Sequence, residues 1–299
     1  MRKIRSLLLS FRGYCIKQTY PLYLSLVKVN RRKPSRIAIN QIDDREKRII
    51  ISLTTFPDRI SFVHKTLYSL MHQDLLPDAI ILWLAESQFP DKKLPDSILE
   101  LQKYGLSIAW VGEDIKSYKK LIPALKQYPN DIIVTADDDL YYPRNWLRNL
   151  YNSYESNPDV VHCQLITRIG YINNHFDSIK RTKRFVNTSS YNNKILSGSG
   201  TLFPPGCLSS EVFNSELFTK LAPTSDDLWY WAMALVRHTP IKWIKENMKR
   251  LYFVEGVQEN TPCLWEKNDR GERLFETHLN SLIKYFQLEE LLNDDNGNY

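Results

Sequence analysis

Ile132 to Pro143, IIVTADDDLYYP, runs from an apolar strand signal straight into three consecutive carboxylates, Asp137, Asp138 and Asp139. Adjacent Asp side chains repel one another unless a cation or water neutralises them. Their place at the end of a buried strand therefore points to a divalent metal. Hard oxygen ligands favour Mg²⁺ or Mn²⁺, ions that keep waters and coordinate phosphate oxygens, so a phosphorylated substrate follows. A solvated acidic turn is the other reading of the same residues.

Working outward, an alternating βα pattern leads up to this run. Arg48 to Leu53 reads as a strand, and Ser61 to Gln73 as a helix with Phe62, Val63, Leu67, Leu70 and Met71 on one stripe. Ala79 to Leu84 is a second strand. Asp96 caps a helix ending near Gly105, and Ser107 to Val111 is a third strand. Ser117 is placed to cap a helix that turns Leu121, Ile122 and Leu125 inward, and Pro143 to open one through Trp146, Leu147, Leu150 and Tyr151. Strands and helices alternating at this spacing predict a mostly parallel central sheet with helices on both faces. Ligands of such sheets bind beyond the carboxyl ends of the strands, where Thr54, Glu86 and the Asp run project. No Gly-rich phosphate loop follows the first strand, which counts against dinucleotide-binding and P-loop folds.

Four stretches, SLTTFPDRI, YKKLIPALKQYPNDIIVTADDDLYYP, GSGTLFPPGCL and APTSDDLWYWAMAL, resemble the nucleotide-sugar glycosyltransferases of the GT-A (Rossmann-like) fold. The similarity is to the family-2-like enzymes of bacterial surface polysaccharide assembly, and it covers roughly Arg48 to Phe286. The resemblance implies that Asp137 and Asp139 hold the metal and, with Asp138, the sugar-nucleotide diphosphate. It implies that the later pair Asp226–Asp227 supplies the catalytic base of an inverting reaction, with Asp227 the candidate. Lys120 and Arg59 become nucleotide contacts by the same resemblance, and Gly198 and Gly200 line the donor-sugar side. Glu86, ending the second strand, is placed to approach the ribose or base.

The chemistry wants these groups. Breaking an anomeric carbon to phosphate bond builds positive charge on the sugar and negative charge on the departing diphosphate. A metal steadies that leaving group while a carboxylate takes the acceptor hydroxyl's proton. Each residue also has a plainer reading. Asp226 and Asp227 open the helical stretch Leu228 to Arg237, where Ser225 or Asp226 is a natural cap. Lys119 and Lys120 could face solvent, and the Gly198 to Gly206 stretch could be a bulge and a Pro-Pro turn. Trp229 and Trp231, two apart on a helix, cannot share one face, so at least one is core.

Cys15, Cys163, Cys207 and Cys263 are dispersed without a C-x-x-C pair, which indicates neither a zinc site nor a disulfide framework. His278 reads as an ordinary helix residue, with the late metal-ligating His of some GT-A enzymes as the alternative the resemblance offers, and His64, His72, His162, His175 and His238 have no ligand spacing. A hydrophobic content of 43% against 25% charged residues is ordinary for a globular enzyme.

The net charge of +6 is concentrated at the start. No acidic residue precedes Asp43, whereas Arg2, Lys3, Arg5, Arg12, Lys17, Lys28, Arg31, Arg32, Lys33 and Arg36 are basic. Ile4, Leu7, Leu8, Phe11 and Cys15 follow helical spacing beside them. No apolar run approaches the roughly 18 residues of a membrane span, and Arg12 interrupts any signal-peptide core. Residues 1–36 therefore read as an arm for an anionic membrane surface, with a simply packed basic arm as the alternative and nucleic acid disfavoured by the acidic cleft. The run Lys180 to Arg184 reads as an acceptor-side or solvated loop.

The expected organisation is a basic segment over 1–45, a GT-A domain over 46–290 and a polar tail over 291–299. The expected activity is metal-dependent transfer, inverting, of a sugar from a nucleotide diphosphate to a cell-surface glycan or lipid-linked acceptor. The expected place is the cytoplasmic face of the membrane. A phosphoryl or nucleotidyl transferase and a non-catalytic nucleotide-sugar binding protein stay open.

Overall fold

The computed structural model describes residues 19–42, 45–179, 185–261 and 274–294. Five of the ten tail cations, the Ile4 to Cys15 stripe, the run Lys180 to Arg184, Cys263 and Trp265 lie outside the described residues.

Residues 19–26 form helix α1. The chain then alternates β1 (Ile49–Thr54), α2 (Val63–Leu70), β2 (Ala79–Ala85), α3 (Asp96–Leu99), β3 (Leu106–Val111), α4 (Ile122–Gln127) and β4 (Ile132–Thr135). The second half is less regular. It begins with α5 (Trp146–Ser156), β5 (Val161–Cys163), β6 (Ile166–Ile172), β7 (His175–Ile179), β8 (Ser189–Ser190), β9 (Asn193–Ile195) and β10 (Thr201–Phe203). It ends with α6 (Ser215–Leu221), α7 (Asp226–Val236), β11 (Ile241–Trp243), α8 (Val257–Asn260), α9 (Leu274–Phe286) and α10 (Glu289–Asp294).

The main sheet has the order β3-β2-β1-β4-β10-β5-β11-β8. β3, β2, β1 and β4 are parallel, β10 runs antiparallel to both β4 and β5, and β5 pairs β11 in parallel. A smaller antiparallel sheet, β7-β6-β9, lies beside it. The strands bury both faces, as expected for parallel sheets covered by helices. Ile50, Ile81, Trp83 and Ile133 join one core with α4, α7 and α9. Ile49, Ile51, Ile80, Leu82, Ile132 and Val134 join a second core with α2 and α5.

Two expected helices begin later than the sequence pattern implies. Pro123 lacks an amide hydrogen and its ring crowds the carbonyl four residues back, so no continuous helix runs on from Ser117. Lys116–Lys120 forms a 3₁₀ turn instead, and α4 starts at Ile122 with Pro123 in its first turn. Pro143 is held in a bridge to Val29, the chain then makes a turn, and α5 starts at Trp146.

That bridge also shows that residues 19–42 belong to the folded body. Leu24, Val29 and Ala38 are buried in the second core. At the other end α10 crosses the expected boundary at residue 290, and Leu292 is fully buried.

Candidate active site

The carboxyl ends of β1 and β4, the turn before α4, the loop before β10 and the start of α7 surround a cleft of about 720 Å³. Thr54, Arg59, Lys120, Asp137, Asp138, Asp139, Gly198, Asp226 and Asp227 all line it. That volume is typical of small-molecule sites. Glu86 does not line it: its carboxylate turns to Lys92 at 2.6 Å on the surface. Nor does Gly200, whose φ of +110° and contact with the Trp146 indole give it a packing role. A Cβ there would lie 2.2 Å from Trp146 Nε1, so the buried ring demands glycine.

The Asp run is fixed by its backbone as much as by its side chains. The Asp137 amide donates to the Tyr142 hydroxyl at 2.8 Å, and that hydroxyl donates to the Gly198 carbonyl at 2.6 Å. Tyr142 thereby clamps the Gly198 loop against Asp137, and the clamp is close: a Cβ on Gly198 would sit 1.8 Å from Asp137 Oδ2. The Val254 amide and the Thr66 hydroxyl donate to the carbonyls of Asp139 and Asp138 at 2.7 and 2.9 Å.

Arg59 enters from the turn after β1. One of its amino groups pairs with Asp138 at 2.8 Å and with Asp139 at 2.9 Å. The Thr55 hydroxyl donates to Asp138 at 2.6 Å, and the Gln258 amide to Asp139 at 2.6 Å. One guanidinium for two buried carboxylates is not enough. Burial, partly offset by Arg59, holds Asp138 above the usual carboxylate range; burial and then the Asp138 charge do the same to Asp139.

The other half of the site is organised by Lys120. Its ammonium donates to Asp137 at 2.7 Å and lies 3.1 Å from Asp226 Oδ2, an ion pair without the alignment of a hydrogen bond. Burial disfavours that charge, but Asp137, Asp226 and Asp227 together hold the ammonium well above its ordinary value. Asp226 itself is pushed up by burial against the pull of Lys120. Its neighbour differs. The Ser197 amide donates to Asp227 Oδ1 at 2.9 Å, the Ser197 hydroxyl donates to the same oxygen, and Lys194 Nζ lies 3.6 Å from Oδ2. Burial again pushes upward, yet Lys194, Lys120 and Ser197 outweigh it and hold Asp227 below its ordinary value. Asp227 keeps 26% of its side-chain surface and is open to the cleft.

Several of these partners escape sequence reasoning. Lys194 lies on β9, and Thr55, Ser197, Tyr142 and Gln258 are ordinary residues whose roles come from long-range packing. Ser225 occupies the N-cap position of α7 without a capping hydrogen bond, and its hydroxyl meets His278 at 3.3 Å. Trp229 and Trp231 are both fully buried. His175 has no ligand spacing in the sequence, but β7 and α9 bring it within 3.0 Å of Glu276, with Asp177 alongside. Among the described residues this is the one group of three such side chains whose ligand atoms converge.

The Asp run fits a hard divalent ion in a particular way. Its donors are oxygens only, Asp137 is 37% exposed, and the two buried carboxylates share a single guanidinium. The run offers one or two ligands rather than a cage, as Mg²⁺ and Mn²⁺ sites that rely on substrate phosphates do.

A mainly parallel α/β sheet with acidic groups gathered at its carboxyl edge defines the class: a protein built to hold a charged ligand at that edge. The sequence model for glycosyl transferase family 2 matches residues 54–216, more than half of the chain, and the chain belongs to that family. The matched span contains the Asp run and the Gly198 loop and ends before Asp226. No curated protein sequence matches the chain. Among solved structures, the crystal structure of S. aureus TarS 1-349 is similar at 14% identity and a TM-score of 0.41, over 69% of this chain and 60% of that one. TarS 1-349 in complex with UDP-GlcNAc is similar at 13% identity and a TM-score of 0.44, over 80% and 73%. The chain spans 60% of the length of the first of these and of the complex with UDP.

Proposed function

We propose that this chain is an inverting glycosyltransferase that moves a sugar from a nucleotide diphosphate to a glycan or lipid-linked acceptor. The observation that carries the reading is the contrast inside the cleft: an ionised, accessible Asp227 on one side and a charge-deficient Asp run on the other. Asp227 is the base for the acceptor hydroxyl. Ser197 and Lys194 orient it and keep it ionised. Asp226 keeps Lys120 in place, and Lys120 and Arg59 supply the positive edge that a diphosphate meets. Asp137 and Asp139 would hold a Mg²⁺ or Mn²⁺ ion, which when bound neutralises charge on the diphosphate leaving group. No step of proton transfer depends on that ion.

The acceptor and the setting belong to the same reading. Ten cations without an acid before Asp43 support contact of residues 1–36 with an anionic membrane surface, at the cytoplasmic face. Among the described residues no helix is long and apolar enough to cross a membrane.

Calorimetric titration with a panel of nucleotide sugars, with Mn²⁺ and with chelator, tests the donor side. Affinity should require the divalent ion, and Asp139→Ala should weaken the metal-dependent binding at least about tenfold because one hard ligand is lost. Equal affinity with chelator and with Mn²⁺ would remove the metal from the reading.

A further inference from the structure

Beside the acidic cleft the molecule builds a basic one. Lys28, Arg31 and Arg32, from the segment after α1, line it together with Lys65 of α2 and Arg144 of the turn before α5, around a cavity of about 1220 Å³. Its two carboxylates are already engaged. Asp74 pairs with Arg148 at 3.1 Å, and Glu255 with Arg31 at 3.3 Å and with the Tyr141 hydroxyl at 2.9 Å. The side chains of Lys28, Arg32 and Arg144 have no hydrogen-bonded or ion-paired partner among the described residues. Like charges gathered without partners are a surface that favours an anion.

Helix α1 supplies an apolar border to that charge. Leu24 is fully buried, and the Tyr20 hydroxyl donates to the Phe253 carbonyl at 2.8 Å. Tyr23 packs on Tyr252 beneath the Arg250 guanidinium. The helix is therefore docked, and Thr19, Leu22, Ser25 and Leu26 form its outward face. Leu22 is 65% exposed and Leu26 73%. Single exposed leucines are ordinary. Two of them four residues apart on one helix face, next to Ser25 at the lip of a cavity with five cations, have the make-up of an interfacial surface. Leucines there enter the acyl boundary while cations meet lipid phosphates.

The two clefts share a wall. Leu140 and Phe253 line the acidic one, and their neighbours Tyr141 and Glu255 line the basic one. We infer that α1 and residues 28–32, with Lys65 and Arg144, form a docking face for an anionic phospholipid surface, which holds the acidic cleft beside acceptors carried there. The inference rests on the membrane half of the proposed function and carries it from the tail onto the folded body.

Co-sedimentation of the full chain with vesicles of phosphatidylglycerol and phosphatidylcholine, against phosphatidylcholine alone, tests it. Leu22→Ser/Leu26→Ser and, separately, Arg32→Gln/Arg144→Gln should each weaken binding to the anionic vesicles on the order of tenfold. Nucleotide-diphosphate binding should stay at the wild-type level in both. Anionic-vesicle binding equal to wild type in both variants would overturn the docking face while leaving residues before 19 as the membrane contact. Absence of vesicle binding by the wild-type chain would overturn the face and the membrane half of the proposed function together. Loss of nucleotide binding alongside vesicle binding would also overturn it, since the effect would then be on folding.

Discussion

Asp137–Asp139 and Asp226–Asp227 are joined through Lys120, which touches a member of each. Both are runs of adjacent carboxylates at the mouth of one cleft, yet Asp138, Asp139 and Asp226 are held above their ordinary range and Asp227 below it. The difference is in the donors each carboxylate receives. Asp138 and Asp139 share one guanidinium and have one neutral donor each, Thr55 and Gln258, under near-complete burial. Asp227 has an amide, a hydroxyl and a lysine of its own, and stays partly exposed to the cleft. Adjacency in sequence sets the repulsion, and what the fold brings to each oxygen decides which carboxylate carries the charge.

The largest effect should come from breaking that contrast where it is sharpest. Asn at position 227 can still accept from the Ser197 amide but cannot take a proton at neutral pH. Asp227→Asn should keep the fold and donor affinity and lower turnover about a hundredfold or more, about 3 to 5 kcal/mol in the barrier. Near-normal turnover with cognate donor and acceptor would take Asp227 out of the mechanism, and product anomer analysis by NMR would then test whether the reaction retains configuration.

A smaller effect should follow from disturbing the first run without removing a carboxylate. Gly198→Ala places a methyl group where Asp137 Oδ2 now sits, so the carboxylate must swing away from Lys120. Lys120 remains paired with Asp226, and the fold should survive. Nucleotide-diphosphate affinity should fall about tenfold, the weight of one charge-assisted hydrogen bond. Unchanged affinity by calorimetry would mean that the Asp137–Lys120 pair does not shape the donor site.

The same contrast marks how much could be read before the structure. The parallel half is legible because β1, β2 and β4 are continuous apolar runs and the Asp run ends one of them. The strand-end rule places Thr54 and the Asp run at one edge, the family resemblance adds Lys120, Arg59 and Asp227, and all of them reach the cleft. Glu86 was placed by the same strand-end rule, but the rule fixes position and not direction, and an exposed Lys92 takes the side chain. The antiparallel half was opaque. β8, β9, β10 and β11 are two or three residues long, below any periodicity signal, so Lys194 and Ser197 could not be seen beside Asp227. Gly200 was visible as a special backbone position, but its Trp146 neighbour was not.

Lys194 gives the finest test of the comparison, because it acts on Asp227 through charge and not through the proton itself. It is 6% exposed, lies 3.6 Å from Asp227 Oδ2 and packs over the Phe275 ring at 5.6 Å. Lys194→Met keeps the aliphatic stem against the ring and removes the cation. One of the influences that hold Asp227 down is then gone, so its proton is released at higher pH. The acidic limb of the kcat/KM profile should move to higher pH, with kcat on the plateau changed little, since above that limb Asp227 is ionised in both proteins. Lys194→Arg should return the limb toward its wild-type position. A purely structural role predicts something else: a lower plateau with the limb in place, and no recovery specific to a cation. Measured that way, the limb reports whether the donors around Asp227, and not its place in a pair of acids, set its charge.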